Sequence, residues 1–124
     1  MKHSTVVLVN NEPRVETEMA ASSERTGRPW VMAHTKAEAL QTLDELNGDI
    51  GLVVENLTPR VPGLALLQEM KSQHHEIPVV VLTSPGEGNI VKLALVFGAD
   101  GSMDKPIDES SFDEMVRHYC DGAN

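Results

Sequence analysis

Four short stretches of this chain hold residue types that can do chemistry. Glu55 is the lone acid closing an apolar run (Ile50, Leu52, Val53, Val54) inside DIGLVVENLTPRVPG, residues 49–63. Thr83 and Ser84 follow VVVL, Lys105 precedes Pro106 in MDKP, and Asn10 and Asn11 follow TVVLV. A carboxylate brought beside an ammonium in a partly buried pocket forms a charge-compensated pair that needs no metal. A hydroxyl beside them adds a hydrogen-bonding group. Whether these residues meet depends on the elements that carry them.

Those elements are legible. Thr5–Val9 is a β-branched run of strand length, stopped by Asn10-Asn11-Glu12-Pro13. Pro13 suits the first turn of a helix, where its missing N–H costs nothing, and Val15, Met19 and Ser22 or Ser23 recur at helical spacing with Glu16, Glu18 and Glu24 outward. Gly27 and Pro29 end that helix. Trp30–Ala33 is a short strand, and residues 36–46 form a helix with a stripe of Ala39, Leu40, Leu43 and Leu46. After the turn Asn47-Gly48-Asp49 comes the strand ending at Glu55, apolar enough to be buried on both faces. The loop of Leu57, Thr58, Pro59, Val61 and Pro62 leads to a helix over 63–74 carrying Leu64, Leu66, Leu67 and Met70.

Residues 77–82 are a second doubly buried strand, with Pro78 near its start. A loop over 83–88 precedes a helical stripe of Ile90, Leu93, Ala94 and Phe97, closed by Gly98. Residues 101–103 are a minimal strand, and Asp108 caps a last helix whose inner face is Phe112, Met115, Val116 and Tyr119. Strands alternating with helices require right-handed crossovers. The fold expected is α/β, a doubly wound five-stranded parallel sheet of flavodoxin-like (βα)5 type with strand order 2-1-3-4-5. In such a sheet sites form at the carboxyl ends of the strands, which gathers Asn10, Asn11, Glu55, Thr83, Ser84 and Lys105 at one crevice.

Composition narrows the function. The 124 residues read as a single domain, 1–124, with a core of about 5–119 and no linker or repeat. A net charge of −9 argues against nucleic acid or an anionic membrane as the partner, and favours solubility or a basic protein. The single cysteine, Cys120, excludes an internal disulfide and points to a reducing, cytoplasmic location; His118, two residues away, lies on another side of the helix. The apolar run near the N-terminus is too short for a signal peptide, and no segment is long enough to span a membrane. His74-His75 lack the spacing of a metal pair and read as a helix C-terminal cap. His3 and His34 have no partner at metal spacing. An FMN site is a distant alternative, because the switch point offers only Asn11, Glu12 and Pro13 and aromatics are 3% of the chain.

From about Thr5 to Tyr119 the sequence resembles the receiver domain of two-component response regulators, the CheY-like superfamily. The resemblance is carried by VNNEP, DIGLVVENLTPRVPG, IPVVVLTS and GADGSMDKP in this order. It implies a signalling module and not an enzyme, with a histidine kinase or a downstream signalling protein as partner and a homodimer left open. By position, the two acids that hold Mg²⁺ in the family fall on Asn10 and Asn11, and the phospho-acceptor aspartate falls on Glu55. The phosphoryl-contacting hydroxyl and lysine fall on Thr83 and Lys105. Pro106 follows that lysine, where the family commonly has a cis bond, and Ser102 stands at the aromatic switch position. The family's partner face corresponds to Lys92, Val96, Ser102, Glu109 and Asp113.

The departures define the expectation. Two amides and one longer acid replace three aspartates, a poor cage for a hard cation that needs anionic oxygens. Phosphoryl transfer loses its charge neutralisation, and the extra methylene of Glu55 displaces the acceptor. No cofactor is therefore expected, with Mg²⁺ binding weak or absent. Interaction without Mg²⁺-dependent aspartate phosphorylation is the function expected, a working phospho-acceptor the alternative. Glu55, reaching toward Thr83 and Lys105, is expected to pair with Lys105, either holding the receiver in one conformation resembling the phosphorylated state or standing as a relic ion pair with no signalling meaning.

Overall fold

The computed structural model describes residues 5–57 and 60–121. Its order is β1 (Thr5–Val9), α1 (Pro13–Thr26), β2 (Trp30–Ala33), α2 (Lys36–Glu45), β3 (Ile50–Asn56), α3 (Arg60–Gln73), β4 (Val79–Thr83), α4 (Gly88–Val96), β5 (Gly101–Asp104) and α5 (Glu109–Cys120). The strands form one sheet in the order β2-β1-β3-β4-β5, with every neighbouring pair parallel. The expected doubly wound fold is the one observed. Among the described residues, no helix is long and apolar enough to cross a membrane.

Strand alternation divides the core into two layers. Val7, Val9, Val53, Val79 and Val81 face α2 and α3, packing on Leu43, Leu67 and Met70. Val6, Leu8, Leu52, Val54 and Leu82 face α1 and α5, packing on Met19, Phe112 and Val116. Each fully buried Leu, Val or Phe contributes about 1.5–3 kcal/mol of transfer free energy. The register between β1 and β3 slips at Thr5/Val6, where Thr5 pairs with Ile50 but Val6 with Leu52. Gly51 is thus the extra residue of a bulge. Because the side-chain period is two, that residue sets which face each later side chain of β3 takes. Glu55 falls with Val53 on the α2/α3 face and Asn56 with Val54 on the α1/α5 face.

Local chemistry explains the element ends. Pro13 opens α1, and Gly27 ends it at φ 74°. Asp108 caps α5 by accepting from the Ser111 N–H, and Gly98, at φ 112°, follows α4 where an L side chain would be strained. Several boundaries differ from expectation. α3 starts at Arg60 instead of Gly63, because proline is tolerated in a first helical turn and Pro62 does not delay it. β4 begins at Val79, past Ile77 and Pro78. Leu93 lies on the outer side of α4, 45% exposed, so the buried stripe reduces to Ala94 with Ile90 and Phe97 packed partly against the core. The expected loop positions Thr58 and Pro59, together with His3, lie outside the described residues.

Candidate functional site

β1, β3, β4 and β5 deliver their last residues to one end of the sheet, but two recesses form there instead of one crevice. The first lies on the α1 side. Asn10, buried at the end of β1, folds into an Asx turn: its Oδ1 accepts from the Glu12 N–H at 3.0 Å and its Nδ2 donates to the Glu12 carbonyl at 2.8 Å. This turn aims the Glu12 side chain across the sheet end. Asn56 donates through Nδ2 to Asn10 Oδ1 at 2.9 Å and to Glu12 Oε1 at 2.8 Å. Lys105 Nζ donates to Asn56 Oδ1 at 2.9 Å and to Glu12 Oε1 at 2.9 Å. Its stem is placed by a cis Lys105–Pro106 bond and by its backbone N–H, which donates to the Thr83 carbonyl at 2.7 Å. The bonds from Asn56 and then from Lys105 hold the Glu12 carboxyl below its ordinary range. A groove of about 430 Å³, bordered by Glu12, Arg14, Glu18, Ser84 and Lys105, opens beside this network.

The second recess lies on the α2/α3 side and belongs to Glu55. That side chain is 1% exposed, and its Oε1 has no hydrogen-bond partner. Burial pushes its carboxyl from 4.5 up to about 8, so near neutral pH it is largely the uncharged acid. Gly63 allows this packing: a Cβ there would meet Leu57 Cδ2 at 2.7 Å and Glu55 Oε2 at 3.3 Å. Asn11 closes the mouth, donating to the His34 carbonyl at 3.2 Å. The space that remains, about 90 Å³, is bordered by Asn10, Asn11, His34, Thr35, Glu55 and Gly63.

The expected Glu55–Lys105 pair is therefore not formed. β3 extends one residue beyond Glu55, and alternation presents Asn56, not Glu55, to the side where Lys105 emerges. The acid that neutralises Lys105 is Glu12, from the α1 N-cap. Thr83 is buried on the Glu55 face but donates to Asp104 Oδ1 at 3.3 Å. Ser84 is anchored through its N–H to Glu87 Oε1 at 2.7 Å. Sequence reasoning missed Glu12 and Asn56. Their signal was polar type at a strand end and helix cap, beside residues already singled out.

Two further expectations change. Asp113 is not on an accessible face: it is 7% exposed, accepting from Ser22 Oγ at 2.6 Å and Arg25 Nε at 2.6 Å, which ties α5 to α1. The Arg25 guanidinium holds its carboxyl below the usual aspartate range. His74 does not cap α3 with its ring; Nε2 sits 2.9 Å from Asp44 Oδ1 and links α3 to α2. Lys92, Val96, Ser102 and Glu109 are exposed.

The Mg²⁺ site implied by the resemblance can be tested against these donors. Asn10 Oδ1 already accepts two hydrogen bonds, Asn11 is a neutral amide, and Glu55 is largely protonated. Among the described residues no cluster of three or more His, Cys, Asp and Glu could hold a metal ion. This donor set does not fit Mg²⁺.

The model of the response regulator receiver domain matches residues 6–117. The chain belongs to that family. Among curated relatives, it is 25% identical over 112 residues to the alkaline phosphatase synthesis transcriptional regulatory protein PhoP of Bacillus subtilis, covering 90% of this chain and 46% of that one. It is 27% identical over 112 residues to the transcriptional regulatory protein CpxR of Escherichia coli, covering 90% and 47%. The chain thus spans about half the length of these relatives. A receiver domain protein from Clostridium thermocellum has the same fold, with TM-score 0.83, 20% identity and coverage of 95% and 94%. The receiver domain of NtrX from Brucella abortus superposes with TM-score 0.82 at 25% identity, covering 94% and 98%. As a receiver domain of the two-component type, the chain is a signalling module whose family interacts with histidine kinases and downstream effectors.

Proposed function

We propose that this receiver acts by protein–protein interaction without conventional Mg²⁺-dependent aspartate phosphorylation. The observation that carries the reading is the division of labour at the end of β3. The residue in the acceptor position is a buried, largely neutral acid, while the lysine that would contact a phosphoryl group is engaged by Glu12 and Asn56. A protonated carboxyl is a poor nucleophile. Without a metal, nothing offsets the charge that builds up in phosphoryl transfer. The absence of a Glu55–Lys105 pair removes the ground for a state locked in the phosphorylated conformation.

The partner is a histidine kinase or a downstream signalling protein, met through the outer face of α4, β5 and α5. There α4 exposes Leu93 (45%), Leu95 (49%) and Val96 (77%), with Lys92 as its single charge. The test is a Mg²⁺ titration followed by calorimetry and by the amide spectrum of the β1–α1 and β3–α3 loops, repeated with beryllofluoride. No response at millimolar metal is expected, and the triple replacement Asn10→Asp, Asn11→Asp, Glu55→Asp should restore one. A saturable wild-type response to beryllofluoride with Mg²⁺ would replace this reading with that of a working phospho-acceptor.

A further inference from the structure

A cavity of about 210 Å³ lies at the opposite end of the sheet, where the strands begin, bordered by Asn47, Gly51, Glu76, Pro78 and Tyr119 among others. Its floor is the start of β3, where the ladder to β4 is incomplete. The Val53 N–H donates to the Pro78 carbonyl at 2.8 Å, and the first β3–β4 pair is Val53 with Val79. One step earlier, the bond to the Gly51 carbonyl needs an N–H on residue 78, and Pro78 has none. Gly51 is buried and borders the cavity, so a donor for this carbonyl has to come from the cavity side. Among the described residues, Glu76 is the one charged group on the border, and His75 Nδ1, at 3.9 Å, is too far to hydrogen-bond it. Asn47 and Glu76 lie just past the C-terminal ends of α2 and α3, and Tyr119 is in the last turn of α5, so three helix dipoles turn negative ends this way. The Lys71 ammonium at the end of α3 is already engaged by the His75 and Ile77 carbonyls and by Asp100. An occupant that donates hydrogen bonds, carries positive charge and lies flat on an aromatic ring fits this border. A guanidinium does all three, whereas an ammonium is more strongly hydrated and has no face to stack. The volume falls below the roughly 300–1,000 Å³ of pockets for drug-sized ligands, which suits a single side chain.

We propose that this cavity receives the guanidinium of an arginine side chain from a partner protein, stacked on Tyr119 and donating to the Glu76 carboxylate and the Gly51 carbonyl. An arginine within a chain fits better than the free amino acid, whose α-carboxylate would face Glu76 and the helix ends. The chain's net charge of −9 draws a basic partner in. The contact lies at the other end of the strands from Glu55 and Lys105, so it holds whether or not the receiver takes a phosphoryl group.

Tyr119 is the chain's only tyrosine, so its ring signals in an NMR spectrum need no separation from others. The probe is N-acetylarginine methylamide, with N-acetylcitrulline methylamide (the same shape without the charge) and free arginine as controls. The expected result is a saturable shift of the Tyr119 ring signals and an upfield shift of the probe's δ-methylene protons. Both should be weaker for free arginine and absent for the citrulline compound. Glu76→Gln, a replacement at an exposed position, should weaken binding about five-fold, the scale of a partly exposed charge pair. Pro78→Ala supplies the missing N–H: the amide of residue 78 should become protected from exchange, and binding should weaken. No saturable response, an equal response to the citrulline compound, or unchanged affinity in both variants would overturn the site. Free arginine binding as tightly as the methylamide would overturn the assignment to a protein partner, and an unprotected amide at residue 78 would overturn the role of the Gly51 carbonyl.

Discussion

Asn56 and Glu55 are neighbours in sequence at the end of one strand, yet their surroundings are opposite. On the α1 side, Asn56 uses both amide hydrogens and its oxygen, binding Asn10, Glu12 and Lys105 in a network where each charge faces a partner. On the α2/α3 side, Glu55 is equally buried and has an oxygen with no partner at all. Chain position does not decide whether a polar group is satisfied; the face does, and the face is set by strand parity. Lysine and acceptor-position acid are thereby separated, so an event at Glu55 has no direct ion-pair route to Lys105.

The sharpest way to break this comparison is to remove the charge that Glu55 can acquire. Its folded-state value of about 8 lies above the 4.5 of the free group, so the folded protein holds a proton that the unfolded chain has lost. The associated stability is complete below about pH 4.5 and is lost as pH rises toward 8, with a limiting slope of about 1.4 kcal/mol per pH unit. Urea unfolding at pH 5, 6.5 and 8 should show wild type weakening with pH. Glu55→Gln should remain nearly flat and be more stable at pH 7 by up to about 3 kcal/mol. Identical profiles for the two proteins would mean that Glu55 has a partner or reaches water. Glu12 and Asp113 act in the other direction, because their lowered values make stability fall as pH drops through the acid range. Maximum stability is accordingly expected near pH 5.

The satisfied side is tested by Asn56→Ala. This change strips Lys105 and Glu12 of a shared partner and leaves Asn10 Oδ1 one donor short, a cost of about 1–3 kcal/mol for a buried group. Glu12 should rise toward its ordinary range, since Asn56 is the main cause of its depression; its Cδ titration by NMR reads this directly. An unchanged Glu12 titration would assign the depression to Lys105 instead.

This contrast also marks how far the sequence could be read. β-branched runs, Pro13, Gly98 and the Asp108 cap were enough for the element order and the sheet, since periodicity and capping are local signals. The cis bond before Pro106 followed from resemblance. What escaped was parity. The apolar run before Glu55 looks equally plausible with either face inward, and the Gly51 bulge that fixes its phase leaves no mark on a pattern of Ile, Leu and Val. Hence Glu55 could be placed at the end of β3 but not on a face, and Lys105 was paired with the wrong acid. Asp113 was placed on the partner face for a similar reason: its partners, Ser22 and Arg25, lie 91 and 88 residues away on α1.

The last test is the smallest in effect and the most specific to the comparison. If the two faces of β3 are energetically separate, Glu55→Gln and Asn56→Ala should combine additively in a double-mutant cycle, within about 0.5 kcal/mol, although the residues are adjacent in the chain. Adjacent side chains on a strand point to opposite faces, and these two share no hydrogen-bond partner among the described residues. The cycle is best run at pH 5, where Glu55 is protonated in wild type and glutamine is a near-isosteric replacement. A coupling above about 1 kcal/mol would show that strain or charge passes through the backbone at the end of β3. Lys105 would then sense the state of Glu55 without touching it.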